Sequence, residues 1–480
     1  MSNSTSPATP TISDASKRLL PWLVAVAFFM ESLDTTILNT AVPAISSALH
    51  VTTLSMKAVL ASYTLSLAVF IPISGWVADR FGTRRVFAFA IGLFTLGSFL
   101  CGISSNIHVL VACRVLQGMG GSMMVPVGRL TLVRTFAKSE LLRTMSFVSI
   151  PALVAPMLGP IAGGLIVGYL HWRVIFFLNI PIGLIGLVMV YLHLPDYREE
   201  THALDVVGLI LFGAGIALLS YVLEVFGEHT LSAREVTGLL VLALTLLGGY
   251  WIHAKSMQFP LLKLGLFKIR TFRAAVAGSF FTRIGIGGVP FLLPLLYQVG
   301  LGYTPIQSGL LIMPQAVASM SMKALMPRVL AKLGYRWVLV SNTIVLGVLL
   351  MVFATIGLHT PVWMIVLQAF LYGAFTSLQY SSMNTLVYAD TSNEDTSAAS
   401  SIASTMQQLS ISFGVATAGL ATAFFVPHNA QSAPLLMIHG IHKALFSLGI
   451  LTIISTVVFR SLRQGDGDAV SQQKVFHPGG

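Results

Sequence analysis

The sequence predicts an all-α integral membrane protein with about fourteen spanning helices, arranged as two six-helix halves with two helices inserted between them. Three observations carry that expectation. Of 480 residues, 55% are hydrophobic and only 9% are charged, with a mean hydropathy of +0.83. A soluble domain carries about 25% charged residues, so this chain has too little polar surface to offer water. Apolar runs of about 20 residues, the length that crosses a bilayer, recur along nearly the whole chain. The cations fall between those runs, dense and sparse by turns, as the positive-inside rule requires.

The elements follow in chain order. Met1 to Ser16 is rich in Ser, Thr and Pro, so residues 1–18 are expected to be a disordered cytoplasmic tail. The run from Leu19 to about Val42 is longer than a signal-peptide core and no A-x-A site follows it, which makes it a retained first span. Further spans are expected near 58–78, 86–105, 108–131, 144–167 and 174–194, closing an N-terminal bundle over 19–194. Residues 195–273 hold the inserted pair, near 206–225 and 235–253. A C-terminal bundle over 274–460 has spans near 274–299, 308–330, 337–357, 362–388, 399–425 and 441–460. Residues 461–480 are polar and read as a loose second cytoplasmic tail.

Loop charge tests this order. About twenty Lys and Arg fall in loops and tails on the side of the N-terminus, Lys17, Arg18, Arg134, Lys263, Arg328 and Lys332 among them. About four fall on the other side: Lys57, Arg173, Arg234 and Lys443. An even number of spans with both termini in the cytoplasm fits this bias best. The formal charge of +11 then reflects topology rather than a nucleic-acid surface. Cys101 and Cys113 lie in or near apolar runs and imply neither a disulfide framework nor a metal site. His171 and His439 fall near the outer surface, and no histidine pair has metal-ligand spacing.

A shift of 252 residues superposes the halves. Phe28-Phe29 falls on Phe280-Phe281, Arg80-Phe81-Gly82-Thr83-Arg84 on Lys332-Leu333-Gly334-Tyr335-Arg336, and Gly121 on Gly373. Parallel six-helix repeats of this kind are a transporter architecture.

Several motifs carry a family resemblance. Gly75, Asp79, Arg80, Gly82, Arg84 and Arg85 follow the second span in the pattern G-x-x-x-D-R-x-G-x-R-R. Arg114, Gln117, Gly118, Gly120 and Gly121 lie on the fourth span. Gly159-Pro160 and Gly163-Gly164 lie on the fifth, below Ala155 and Pro156, where further glycines are usual. The first span carries Leu33-Asp34-Thr35-Thr36-Ile37-Leu38-Asn39 and Pro43; the sixth begins Trp172, Phe176, Asn179, Pro181, Gly183. Together these resemble the major facilitator superfamily, and within it the fourteen-helix drug–proton antiporters. The resemblance implies the major facilitator fold, an inner-membrane location, no cofactor beyond a proton gradient, and export of a small molecule against proton entry. It also implies an antiporter role for Gly159, Pro160, Gly163 and Gly164, and a conformational gate at Gly75, Asp79, Arg80, Gly82, Arg84 and Arg85.

The residues themselves support a transport reading. An ionisable group inside a span is costly and is a functional candidate by default. Glu31 and Asp34 are spaced i, i+3 and share a helix face. Counting about 1.5 Å per residue puts Asp34 and Arg114 at similar depth. Asp34 is therefore expected to carry the coupled proton and Arg114 to tune it; a permanent structural ion pair is the alternative. Glu31 is the second proton candidate, and its repeat mate is Arg283. The two are expected to face each other across a substrate cavity that Gln117 and Lys323 also line. Lys323 has a second reading, as a side chain that snorkels to the interface. Asp79 is expected to cap a helix or pair with a cation, and Arg129, near the inner end of the fourth span, to serve as a gate or anchor rather than a substrate ligand. Phe28, Phe29, Met30, Met123 and Met124 suit either an adaptable pocket or plain packing.

Other classes lack their signatures. No G-x-x-x-x-G-K-[ST] loop is found for an ATP-driven pump, and neither H-E-x-x-H nor G-x-S-x-G for a membrane enzyme. A proton-coupled importer, a metabolite facilitator and a non-transporting sensor of the same fold stay open, because fold alone does not set direction or substrate. The expected partners are a small-molecule substrate, protons and the lipid bilayer, with the monomer as the working unit.

Overall fold

The computed structural model describes residues 14–136, 138–199, 201–225, 232–426 and 434–467. Helices make up its regular structure, and no strand occurs among the described residues. In hydrocarbon a helix satisfies its own backbone, so each apolar run closes on itself. The first half comprises α1 (Asp14–Ala48), α2 (Lys57–Phe81), α3 (Thr83–Ile103), α4 (Ile107–Thr135), α5 (Lys138–Tyr169) and α6 (Val174–His193, broken at Leu178). The inserted pair is α7 (Val206–Val225) and α8 (Ala233–Ser256). The second half begins with α9 (Arg270–Gly300). It continues with α10 (305–333) and α11 (335–353), the two limbs of the continuous helix Pro305–Phe353. It ends with α12 (Val362–Leu386), α13 (Thr396–Phe425) and α14 (Pro434–Phe459).

Twelve of these helices are long and apolar enough to cross a membrane, with Pro305–Phe353 counted once and the apolar stretch Val154–Tyr169 of α5 falling short of the required length. A helix of 49 residues is about 74 Å long, far beyond one bilayer. It breaks at Gly334, where φ is +74°. The count of twelve is close to the expected fourteen and differs where Pro305–Phe353 is one helix and where the apolar part of α5 is short.

The repeat seen in the sequence is also a repeat of conformation. Gly82 has φ +98° and Gly334 has φ +74°, each at a sharp junction between two helices. A left-handed backbone at those two positions favours glycine. Thr52 and Thr304, again 252 apart, each accept a hydrogen bond from the backbone N–H three residues on. Both act as caps that open a helix.

Helix ends differ from expectation in three places. The first helix starts at Asp14, so residues 14–18 are helical rather than tail; residues 1–13 lie outside the described part. Lys57, expected in a loop, is the first residue of α2 and is buried against Gly419 of α13. Arg463 to Gly467, expected to be loose, is anchored: Arg270 Nε and Nη2 donate to Asp466 at 3.0 and 2.5 Å. The remainder of that tail, 468–480, lies outside the described residues.

Packing shows how the halves meet. One apolar cluster joins them, with Ile37, Val42, Ile45 and Val59 of the first half against Val289, Leu292, Leu296 and Val415 of the second. It sits at the end of the molecule away from the termini. At the other end the core divides: one cluster belongs wholly to the first half, and another joins the second half to the inserted pair, with Ala68 of α2 at its margin. Of the inserted pair, α7 lies beside α2 and α13, with Gly213 facing Val69, and α8 packs against α7. Ile185, Leu192, Trp251 and Ile252 are exposed apolar side chains on the outer surface, as lipid contact requires.

Candidate functional site

Asp34 lies at the centre of a buried polar cluster drawn from five helices. Arg114 Nη1 of α4 donates to its Oδ2 at 2.5 Å. Its Oδ1 accepts from Gln117 Nε2 of α4 at 2.8 Å and from Asn179 Nδ2 of α6 at 3.1 Å. Arg114 Nη1 also donates to Gln117 Oε1 at 2.8 Å. Ser98 Oγ of α3 accepts from Asn179 at 2.9 Å and from Gln117 at 3.3 Å, and donates to the carbonyl of Phe176 at 3.0 Å. The Arg114 guanidinium stands 4.2 Å from the ring centroid of Tyr63 on α2. Asp34, Arg114, Gln117 and Asn179 are all at most 2% exposed.

The local sequence makes this arrangement. Arg114 and Gln117 are spaced i, i+3 and face one way. The close approach of α3 to α4 depends on Gly97, whose hypothetical Cβ would fall 2.7 Å from the Gln117 backbone. A buried ion pair is tolerable only when its remaining lone pairs and protons are satisfied. Here both carboxylate oxygens are bonded. The Nε of Arg114 is buried without a partner.

Glu31 Oε2 is buried without a hydrogen-bond partner. Arg283 lies in the second half, where its Nε donates to Ser279 at 2.9 Å and its Nη2 to Gln407 at 3.4 Å. Its guanidinium stacks 3.5 Å from the ring centroid of Tyr380. No ion pair joins Glu31 to Arg283 among the described residues. Gln117 belongs to the Asp34 cluster rather than to open space. Lys323 of α10 is exposed, as is Arg129, whose guanidinium stands 5.6 Å from the ring centroid of Phe28.

A second charged group lies at the end of the molecule that carries the termini. Arg134 Nη2 of α4 bridges Asp79 Oδ1 at 2.8 Å and Glu199 Oε1 at 2.7 Å. The backbone N–H of Glu199 donates to the Asp79 carbonyl at 3.1 Å. Asp196 Oδ1 accepts from the Arg84 N–H at 3.1 Å and so caps α3. Arg80 and Arg85 are exposed, and Gly75 has open space around it.

The fifth-span glycines lie at both kinds of joint. A Cβ on Gly163 would collide with the Ile37 carbonyl and Thr40 of α1, and one on Gly159 with Thr36. A Cβ on Gly164 would fall 2.6 Å from the carbonyl oxygen of Pro305, in the other half. Pro160 accepts from Thr40 Oγ1 at 3.2 Å, and Gly309 of α10 packs against its carbonyl.

Sequence reasoning gave no role to Ser98, Tyr63, Asn179 or Glu199. Asn179 carried a signal, an amide at the start of an apolar run. Glu199 carried none, because its partner is 65 residues away in the chain.

The family model described as Major Facilitator Superfamily matches residues 24–415. The chain is 42% identical over 408 residues to the "Putative multidrug resistance protein MdtD" of Serratia proteamaculans (strain 568), covering 85% of this chain and 86% of that one. It is 41% identical over 404 residues to the protein of the same name from Escherichia coli O81 (strain ED1a), covering 84% and 86%. Among solved structures, a D-xylose-proton symporter is similar at a TM-score of 0.68 and 14% identity, over 94% of this chain and 99% of that one. The nucleoside transporter NupG is similar at 0.64 and 14%, over 93% and 100%. At such identities the likeness is one of fold.

Proposed function

This chain belongs to the major facilitator superfamily, and we propose that it exports small molecules across the inner membrane in exchange for protons, by alternating access. The observation that carries the proposal is the carboxylate of Asp34, buried and yet bonded to donors from α4 and α6. The relatives' name, multidrug resistance protein, supports efflux as the direction.

The geometry supplies a cycle. In this conformation the halves meet at the end away from the termini, where Gln298 Nε2 donates to the Thr40 carbonyl at 2.9 Å and Ser412 Oγ to the Ala61 carbonyl at 3.1 Å. At the end bearing the termini the apolar core is divided into two clusters rather than joined in one, and the halves are taken to part there. With those termini in the cytoplasm, the path is open inward and Asp34 is ion-paired with Arg114. A proton arriving on Asp34 takes away the anion that Arg114 holds, and the α1–α4–α6 cluster must then rearrange. Arg134 ties Asp79 within its own half. In the opposite conformation the end bearing the termini closes, and the open space at Gly75 receives the second half.

Glu31 and Arg283 supply the charge of the substrate path, one from each half. Lys323, exposed on α10, adds a cation near its inner end. The protein works as a monomer, with no cofactor other than the proton gradient.

The test is purified protein in liposomes containing a pH dye, with wild type and Asp34→Asn compared. Candidate compounds are expected to drive proton movement in wild type and none in the variant. Equal proton movement in both would remove Asp34 from the coupling step.

A further inference from the structure

The end that carries the termini holds a cavity remote from Asp34, lined by both charged and apolar side chains. Its volume is about 330 Å³, and Arg336, Trp337, Val340, Arg460 and Gln464 line it. Arg336 lies at the start of α11, just past the Gly334 junction, and Arg460 directly follows α14. Both arginines are exposed, and neither forms an ion pair among the described residues.

The first half treats its corresponding junction differently. There Asp196 caps Arg84 and pairs with Arg198 at 3.4 Å, while Asp79 and Glu199 flank Arg134. In the second half Asp466 is already engaged by Arg270 and by the backbone N–H of Arg463 at 2.7 Å. Among the described residues the two cavity arginines are left without an anion.

The surroundings indicate where the anion comes from. Trp337 is 66% exposed, and tryptophan favours the membrane–water boundary. Ile344 and Val348 continue its face along α11, and Val457 and Ile454 line the exposed face of α14. These two helices pack together. An apolar strip therefore runs from the cavity into the bilayer.

We propose that this cavity binds the headgroup of an anionic phospholipid. The phosphate lies between Arg336 and Arg460, where guanidinium groups bind it in forked geometry, and the acyl chains follow the strip. Basic pockets between spanning helices bind anionic headgroups in this way. Free phosphate would use the arginines but not the strip.

The experiment uses the full-length protein in mixed micelles. The Trp337 signal is the fluorescence difference between wild type and Trp337→Phe. Dibrominated phosphatidylglycerol is expected to quench it at a concentration roughly thirtyfold lower than dibrominated phosphatidylcholine, given two cations at the surface. Arg336→Gln and Arg460→Gln are each expected to lose about fivefold of that preference, and the double variant all of it. Equal quenching by the two lipids in wild type overturns the proposal without reference to any variant. So does a preference that survives the double substitution. Displacement of the quencher by inorganic phosphate at about ten millimolar overturns the lipid as the source of the anion.

Discussion

Asp34 and Arg114 are each other's condition for burial. Removing the cation leaves an uncompensated carboxylate in a site that water does not reach. Arg114→Ala is expected to cost about 3–5 kcal/mol, read as a lower thermal midpoint in detergent. Asn179→Leu removes one donor to the same carboxylate and one to Ser98. Its expected cost is about 1.5–3 kcal/mol, the range for a hydrogen bond to a charged group. A full wild-type midpoint in Asn179→Leu would show that Gln117 and Arg114 alone hold Asp34. The acid and its cation were legible in the sequence, because charges in spans are rare and their depths can be counted. Ser98 and Tyr63 were not, because polar side chains of their type are ordinary in spans and only packing tells which face inward.

The helix junctions have their own requirements. Gly334→Ala meets no neighbour but must hold a left-handed backbone, which costs about 1–2 kcal/mol. Gly82→Ala is expected to cost more, since its Cβ would also strike Asp196. Thermal unfolding of the two variants tests the order. Where the start of α7 meets the end of α8, burial opposes the Asp205 carboxylate. Hydrogen bonds from His253 and from the N–H groups of Gly208 and Leu261 outweigh it and hold that carboxyl below its usual range. The stability it contributes is present above the ordinary carboxylate value of about 3.9 and is lost as pH falls through the lower folded value. Asp205→Asn is therefore expected to be less stable than wild type near neutrality, with the gap closing in acid unfolding.

The whole molecule is two halves held at one end. A short bifunctional thiol linker between Thr40→Cys and Gln298→Cys, in a chain with Cys101 and Cys113 replaced by Ser, is expected to hold that end shut. Transport should fall to background after linking and be unaffected in either single-cysteine variant. Undiminished transport in the linked protein would mean that the halves do not part there. The same closure places Gly164 of α5 against Pro305 of α10, so Gly164→Leu is expected to disturb the joint without touching Asp34.

The sequence by itself determined the class, the order of the spans and the repeat. These depend on the length and polarity of local runs, which a bilayer constrains one helix at a time. It also determined that Gly82 and Gly334 occupy equivalent places, because a shift of 252 preserves both. Only the tertiary structure decided which end of the halves is joined, that Arg134 rather than a neighbouring arginine holds Asp79, and that Gln117 serves Asp34. It also decided that Arg283 rests on Tyr380 rather than on Glu31. Those outcomes depend on helix rotation and on contacts between distant segments, and neither span length nor loop charge fixes them.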